Sequence, residues 1–532
     1  MTDDLIIQNA RIHTMDPEYP IADSLAVRDG KIAAVGKFKD VAGLSGQGTF
    51  VLDAKGWTIM PGLIDAHTHF ASHSFRQIEV DLDGIPTLEE ALEKVRVHAQ
   101  KLAPGSWVRG GGFNKNVWGK GDFPTRHDLD RVVADRPVFL RSKCGHSMWC
   151  NTRALELAGV ERDTVCPPGG GMEWDESGFP TGIFKETAQA LIWRVVPEPE
   201  PAEYDRAILA GIASSNALGL TGIHTMEGPP TLGALQRLGS RDMRFTATIP
   251  HKLLDTAIEL GIRSGFGNEW LRVGQLKMFA DGALGVQTAR MFEPYENNPG
   301  SYGISTITVD ELREDVARAA RAGIAVAIHA IGDRANREVL DALEAVKDEA
   351  AKRGLRQRIE HAQLLTPQDL PRFAELNVIA SMQPFHAVSD RWIADRHWGT
   401  RARWAYAFKS LWDHRAVLAF GSDAPVENID PIKGIAAAVT RQHPDDRESP
   451  PWYPEERITV YQAVWGYTMG AALASGEEHL KGSLTPGKFA DLVVMDQDIF
   501  AVDPARLTAT KILGTMVGGR WVYRHAAFDT GA

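Results

Sequence analysis

Cysteine is scarce: the chain of 532 residues holds three, Cys144, Cys150 and Cys166. So few, and an odd number, exclude a disulfide scaffold and fit a reducing compartment. Long apolar runs are missing as well, and no stretch reaches the ~18 residues that a membrane span needs. The opening Met1-Thr2-Asp3-Asp4 is acidic and lacks the basic segment that starts a signal peptide. A soluble, cytoplasmic protein is therefore the expectation. Positive charge is in deficit too: 58 Lys and Arg face 69 Asp and Glu, a net charge of −11. That balance argues against nucleic acid or an anionic membrane as the main partner. What is present is an ordinary globular composition, 44% hydrophobic and 24% charged, which excludes disordered and fibrous classes.

Both ends of the chain read as short strands. Leu5-Ile6-Ile7, Ser24–Val27 and Lys31–Val35 are β-rich, the last two joined by Asp29-Gly30, a hairpin dipeptide. The same grammar returns at 490–495 and at 515–523, across Gly518-Gly519. Residues 1–57 and 480–532 are therefore expected to build one composite β-sandwich domain. Between them, apolar runs alternate with amphipathic stretches, the pattern of a parallel β/α protein. Eight strand candidates stand at 58–64, 222–225, 245–249, 275–279, 324–328, 358–360, 378–382 and 417–421. Helices are expected over 309–322 and 334–353. Eight steps favour a closed (β/α)8 TIM-like barrel over 58–479, with a large insertion after strand 1, a lid subdomain at about 72–215, because the first crossover is far too long. The run Arg109-Gly110-Gly111-Gly112-Phe113-Asn114 lacks the strand–turn–helix setting of a phosphate loop and reads as a turn in that insertion.

In such a barrel the working residues sit at the C-terminal ends of the strands. The first candidate strand runs into Asp65-Ala66-His67-Thr68-His69, two imidazoles on one face of an extended segment. The fourth carries Lys277, the fifth ends at His329, the sixth at His361, and the eighth in Gly421-Ser422-Asp423. Any one of these has a bland reading, a satisfied histidine, a paired lysine or a helix cap. Their convergence on one rim points to a metal site. Imidazole and carboxylate suit zinc. A lysine desolvated among apolar neighbours loses its proton more readily, and the neutral amine then takes up CO₂ as a carbamate able to bridge two ions. His146, in the insertion, and His386, beyond strand seven, are candidates to hydrogen-bond a substrate carbonyl. Cys144, His146, Cys150 and Cys166 are too loosely spaced for a structural zinc. Fourteen Trp, several in the insertion and after strand seven, fit an apolar or aromatic substrate group.

Taken together, the motifs resemble the amidohydrolase superfamily, in its amidohydrolase-3 or YtcJ-like branch. They are Asn9–Asp16, Pro61–His69, Asp281-Gly282-Ala283-Leu284-Gly285, Gly421-Ser422-Asp423 and Gly482–Leu492, with Pro167–Gly171 and Pro180-Thr181-Gly182 in the insertion. The resemblance implies a metal-dependent hydrolase acting on C–N bonds. His67 and His69 match its first-strand ligands, Lys277 its bridging carboxylated lysine, His329 and His361 its ligands from strands five and six. Asp423 matches its ligand and proton carrier. Two zinc ions bridged by carboxylated Lys277 are expected. One ion held by His67, His69, His329 and Asp423, with His361 as an electrostatic helper, is the alternative and would suit a deaminase. The chain departs from many relatives after strand two, reading His224-Thr225-Met226-Glu227 where they read His-Asp. Within the branch, the deformylases of N-substituted formamides are the fitting analogue. The expected partner is a small-molecule substrate, and a homodimer stays open beside a monomer. Hydrolysis of a cyclic amide or carbamate, and a binding module without catalysis, are the other readings. The filled ligand positions speak against the last of these.

Overall fold

The computed structural model describes residues 5–46, 48–115, 118, 123–143 and 145–530, the last two by backbone alone. Cys144 lies outside them. Eight parallel strands succeed one another in chain order around one sheet: Leu63–Thr68 (β1), Leu220–Thr225 (β2), Arg244–Pro250 (β3), Leu271–Phe279 (β4), Val326–Ala330 (β5), Arg358–His361 (β6), Ile379–Met382 (β7) and Val417–Phe420 (β8). Most of their residues are buried, as a parallel sheet under helices requires, with β4 emerging at Phe279. The fold is the expected TIM-like barrel. Helix Val309–Ala322 keeps its predicted bounds, with a capping box from Thr308 to Glu311 and a left-handed Gly323 at its end. The stretch expected as one helix over 334–353 is two, Asp333–Glu344 and Lys347–Arg353, parted where Val346 turns its side chain inward.

Hydrogen-bond ladders join β1 through β8, but the last seam, between β8 and β1, closes differently. The Asp423 amide donates to the His67 carbonyl (2.7 Å), and the His69 amide to the Ala424 carbonyl (2.8 Å). The buried Asp65 carboxylate fills the gap, accepting from the amides of His67 and Ser422 (3.0 Å each) and the Ser422 hydroxyl (2.5 Å). Only glycine fits at 421, since a Cβ there would stand 2.4 Å from the His67 nitrogen.

The run expected as one strand over 58–64 is two. Thr58–Pro61 pairs with Leu492–Met495 and Arg11–His13, while Leu63 starts β1. The chain changes sheets at Gly62, whose amide donates to the Asp491 carbonyl while that of Leu63 donates to Gly219. Thr58–Pro61 thus sits inside a six-stranded sheet ordered 520–524, 512–517, 492–495, 58–61, 11–13, 21–22. A four-stranded sheet of N-terminal strands shares one apolar core with it, Ile7, Leu25 and Val27 meeting Ile59, Leu492 and Met516. These two sheets are the sandwich formed by both termini. Arg244, at the start of β3, ties it to the barrel. Its guanidinium pairs with the buried Asp491 carboxylate at 2.6 and 3.0 Å and stacks on Phe489 and Trp270.

Residues Ser74–Ala210 form a second compact unit. Its six-stranded sheet has an apolar cluster on each face, Leu140 and Trp149 on one, Phe139 and Cys150 on the other. The glycine run expected as a turn is a strand, Val108–Phe113, paired with Val138–Ser142 and Val80–Asp81. Glycine is needed because a Cβ at 110 would lie 2.3 Å from the Val80 carbonyl oxygen. Among the described residues no helix is long and apolar enough to cross a membrane.

Replacing Arg244 with Met strands the Asp491 carboxylate without its partner inside the protein. Loss of one member of a buried pair costs about 3–5 kcal/mol. Urea denaturation of Arg244→Met is expected to show a loss of that order.

Candidate metal centre

The strand ends of the barrel deliver a dense set of imidazoles and carboxylates to one rim. His67, in β1, is 1% exposed, and its Nδ1 donates to the Glu360 carboxylate of β6 at 2.6 Å. That bond puts the proton on Nδ1 and leaves Nε2 as the lone-pair nitrogen, 3.4 Å from Asp423 Oδ1. His69, one turn of the pleat further, stands with Nε2 at 3.3 Å from the same oxygen. His361 follows at 4.9 Å between ring centroids from His67, and His329 at 4.5 Å from His361. Both His361 and Asp423 have left-handed backbone, φ 72° and 60°. Non-glycine residues hold such angles at a cost that surrounding structure must offset, and they cluster at functional sites.

Burial sets the protonation states. It pulls the His361 imidazole well below its ordinary range, with the neighbouring His329 and His67 adding to the effect. His329 falls to about 3, chiefly through burial and then through the Lys277 charge. Its Nε2 donates to the Gly282 carbonyl at 3.0 Å, so Nδ1 carries the free lone pair. Lys277 falls to about 8 because it is buried, against the pull of the Glu360 and Asp423 carboxylates. Burial opposes ionisation of Asp423, yet its carboxyl is held well below the usual carboxylate range, first by the His386 hydrogen bond and then by the nearby His67 and His69 imidazoles. His386, the first residue of the short helix His386–Ser389 after β7, places Nε2 3.4 Å from Asp423 Oδ2. Burial lowers it, yet the Asp423 bond and the charges of Asp390, Asp423 and Glu427 outweigh that and raise it to about 9.

One donor atom each from His67, His361 and Asp423 lies within 4.8 Å of the others, within reach of a single ion. Asp423 Oδ1 is buried and has no hydrogen-bond partner. An orphaned buried carboxylate oxygen is costly without a cation, so this set of imidazole and carboxylate donors fits a divalent ion. Among the sequence-predicted residues, the rim therefore gathers His67, His69, His329, His361, Asp423 and His386, with Lys277 below them in β4. His146 lies in the second unit, more than half exposed, its Nδ1 3.1 Å from Glu186 Oε1. The tryptophans divide: Trp149 and Trp398 are fully buried, while Trp392 is exposed.

Five residues that carry the site had no role assigned from the sequence. Asp65 closes the seam beneath His67. Glu360 and Arg358, two charges inside an apolar strand, face the barrel interior, and that alternation was their only signal. Asp281 is buried and accepts from the amides of Ile331, Gly332 and Arg290, pinning the loop after β4 to the loop after β5 beside His329. Burial lifts its carboxyl to about 7. Glu227, where the motif departs from its relatives, accepts from the amides of Ala71 (2.5 Å) and Ser72 (2.9 Å) and so caps the helix that follows β1.

A barrel with such a rim and a sandwich from both termini defines a class, and the chain belongs to the amidohydrolase family, whose model matches residues 51–523. It is 34% identical to the protein LONG AFTER FAR-RED 3 of Arabidopsis thaliana, over 98% of this chain and 91% of that one. Identity is 33% to the putative amidohydrolase YtcJ of Bacillus subtilis, over 96% and 98% of the two chains. It is 29% to the N-substituted formamide deformylase of Arthrobacter pascens, over 97% of each. An uncharacterized metal-dependent hydrolase from Pyrococcus furiosus superposes with a TM-score of 0.77 at 31% identity, over 93% of this chain and all of that one.

Asp65→Ala removes the acceptor for three donors at the seam. Each buried donor left unpaired costs about 1–3 kcal/mol. Lower stability in urea and faster amide exchange at His67 and Ser422 are expected, while the amides of β4 and β5 keep their relative protection.

Proposed function

We propose that this chain is a metal-dependent hydrolase of an amide-type C–N bond in a small substrate, and that an N-substituted formamide with an apolar or aromatic substituent is its best model. The observation that carries the reading is the meeting of His67, His361 and Asp423 at the C-terminal rim, with Asp423 Oδ1 buried and unpaired. The imidazole and carboxylate donors suit zinc. His67, His69, His329, His361 and Asp423 would hold two ions, bridged by Lys277 as its carbamate. A bound divalent ion supplies Lewis acidity, polarising a carbonyl and bringing the pKa of water toward ~7.

The chain's own groups manage orientation and protons. Asp423, whose Oδ2 lies 3.4 Å from His386 Nε2, takes a proton from the attacking water. Water oxygen bonds to the carbonyl carbon, and the C–N bond then breaks as Asp423 passes that proton to the leaving nitrogen. A formamide so treated yields formate and an amine. The Phe279 ring, 47% exposed and 5.2 Å from the His329 ring, offers an apolar wall at the rim. That wall, and the name of the deformylase relative, support the choice of substrate.

A second reading is deamination at a single ion. It is favoured by Lys277 Nζ lying 4.8 Å over the Phe279 ring, a place suited to an ammonium rather than to a bridging carbamate. Plasma emission separates the two: the bridged site contains two ions per chain and drops to one or none in Lys277→Ala, whereas one ion in both proteins favours deamination. Zinc-loaded protein is expected to convert N-benzylformamide to formate and benzylamine. Asp423→Asn is expected to lower turnover by about 10²–10⁴-fold, the range for loss of a positioned acid–base group. Near-normal turnover in that variant would remove Asp423 from the mechanism.

A further inference from the structure

We propose that Glu360, clamped by Arg358 at the floor of the rim, is a positioning residue that aims His67 at the metal ion. The inference rests on the metal-site reading above and goes beyond it, since neither residue is a ligand. Both are completely buried inside the barrel. Glu360 Oε2 accepts from His67 Nδ1 at 2.6 Å, the short separation of a charge-assisted bond. Three effects follow. The proton is fixed on Nδ1, so the lone pair of Nε2 faces Asp423. The ring is locked in rotation by a strand five places around the sheet. The carboxylate makes the imidazole a stronger donor, as outer carboxylates do for metal-bound histidines.

Arg358 makes this hold rigid. Its Nε stands 2.8 Å from Glu360 Oε1, and Nη2 donates to Glu360 Oε2 at 3.2 Å. Nη2 also reaches the Ala66 carbonyl (2.5 Å), next to His67 in the chain, and the Ser381 hydroxyl in β7 (2.8 Å). Nη1 donates to His224 Nδ1 in β2 at 3.0 Å. One guanidinium thus connects β1, β2, β6 and β7, and it holds both the backbone beside His67 and the carboxylate behind it. A pair serving stability alone gains little from burial, because the desolvation of two charges offsets most of their attraction. The contact that stability does not require is the one to His67.

The test titrates chelator-stripped protein with zinc against a competing chelator, and records the cobalt(II) absorption spectrum of the loaded site. Glu360→Gln keeps an acceptor but removes the charge. Because it leaves Arg358 unbalanced, the double variant Arg358→Met/Glu360→Gln is measured beside it, with melting temperature as the control. Zinc affinity is expected to fall 10–100-fold in whichever variant melts within a few degrees of wild type, the range for loss of an outer partner. The cobalt bands are expected to shift. Wild-type affinity and an unchanged spectrum in a folded variant would overturn the proposal while leaving the metal site standing. Failure of the wild-type chain itself to bind zinc would overturn the metal-site reading, and this inference with it.

Discussion

The barrel closes on a side chain. Seven of its eight seams are backbone ladders, but at the eighth the Asp65 carboxylate stands between β1 and the end of β8 and supplies three acceptor contacts. The rest of the rim depends on that substitution. It brings Ser422 and Asp423 against β1, lets the Asp423 amide bond the His67 carbonyl, and so sets the distance between the first and last donors of the cluster. Glycine at 421 is the steric condition for the same approach. A regular ladder would have offered only backbone partners here, and the Asp423 side chain would owe its place to its loop alone.

Above the seam, the side chains share a design in which one polar atom is tied back to the protein and another is left for a ligand. His67 gives Nδ1 to Glu360, His329 gives Nε2 to Gly282, and Asp423 gives Oδ2 to His386. What remains is Nε2 of the first, Nδ1 of the second and Oδ1 of the third. Restraint of this kind reduces the freedom that a bound ion or substrate would otherwise have to remove. Left-handed backbone at His361 and Asp423 belongs to the same account, since strain there is sustained by the surrounding bonds.

The eight strands were legible as apolar runs, and five of them carry or end in a chemically distinctive residue. His67, His361 and Asp423 stood out for the same reason. Gly62 hid a change of sheet, since 58–64 is apolar in either sheet and only its partners differ. The glycines at 110–112 misled in the opposite direction: glycine marks a turn when it frees the backbone, but here it makes room for a neighbouring strand. Glu360 and Arg358 were visible as charges in an inner strand, yet a linear sequence does not say which strand across the barrel they face. The tryptophans followed burial more than function, with Trp149 and Trp398 wholly inside. Asp281 and Glu227 act by accepting backbone amides from distant loops, and such partners leave no pattern in the chain.

The central claim is that these rim residues form one metal centre. X-ray absorption at the zinc edge of zinc-loaded protein tests it most directly. The account predicts a first shell of nitrogen and oxygen at about 2.0–2.2 Å, with outer-shell scattering from several imidazoles that weakens in His67→Ala and His361→Ala. An all-oxygen shell without imidazole scattering, or a spectrum identical in those variants, would contradict it.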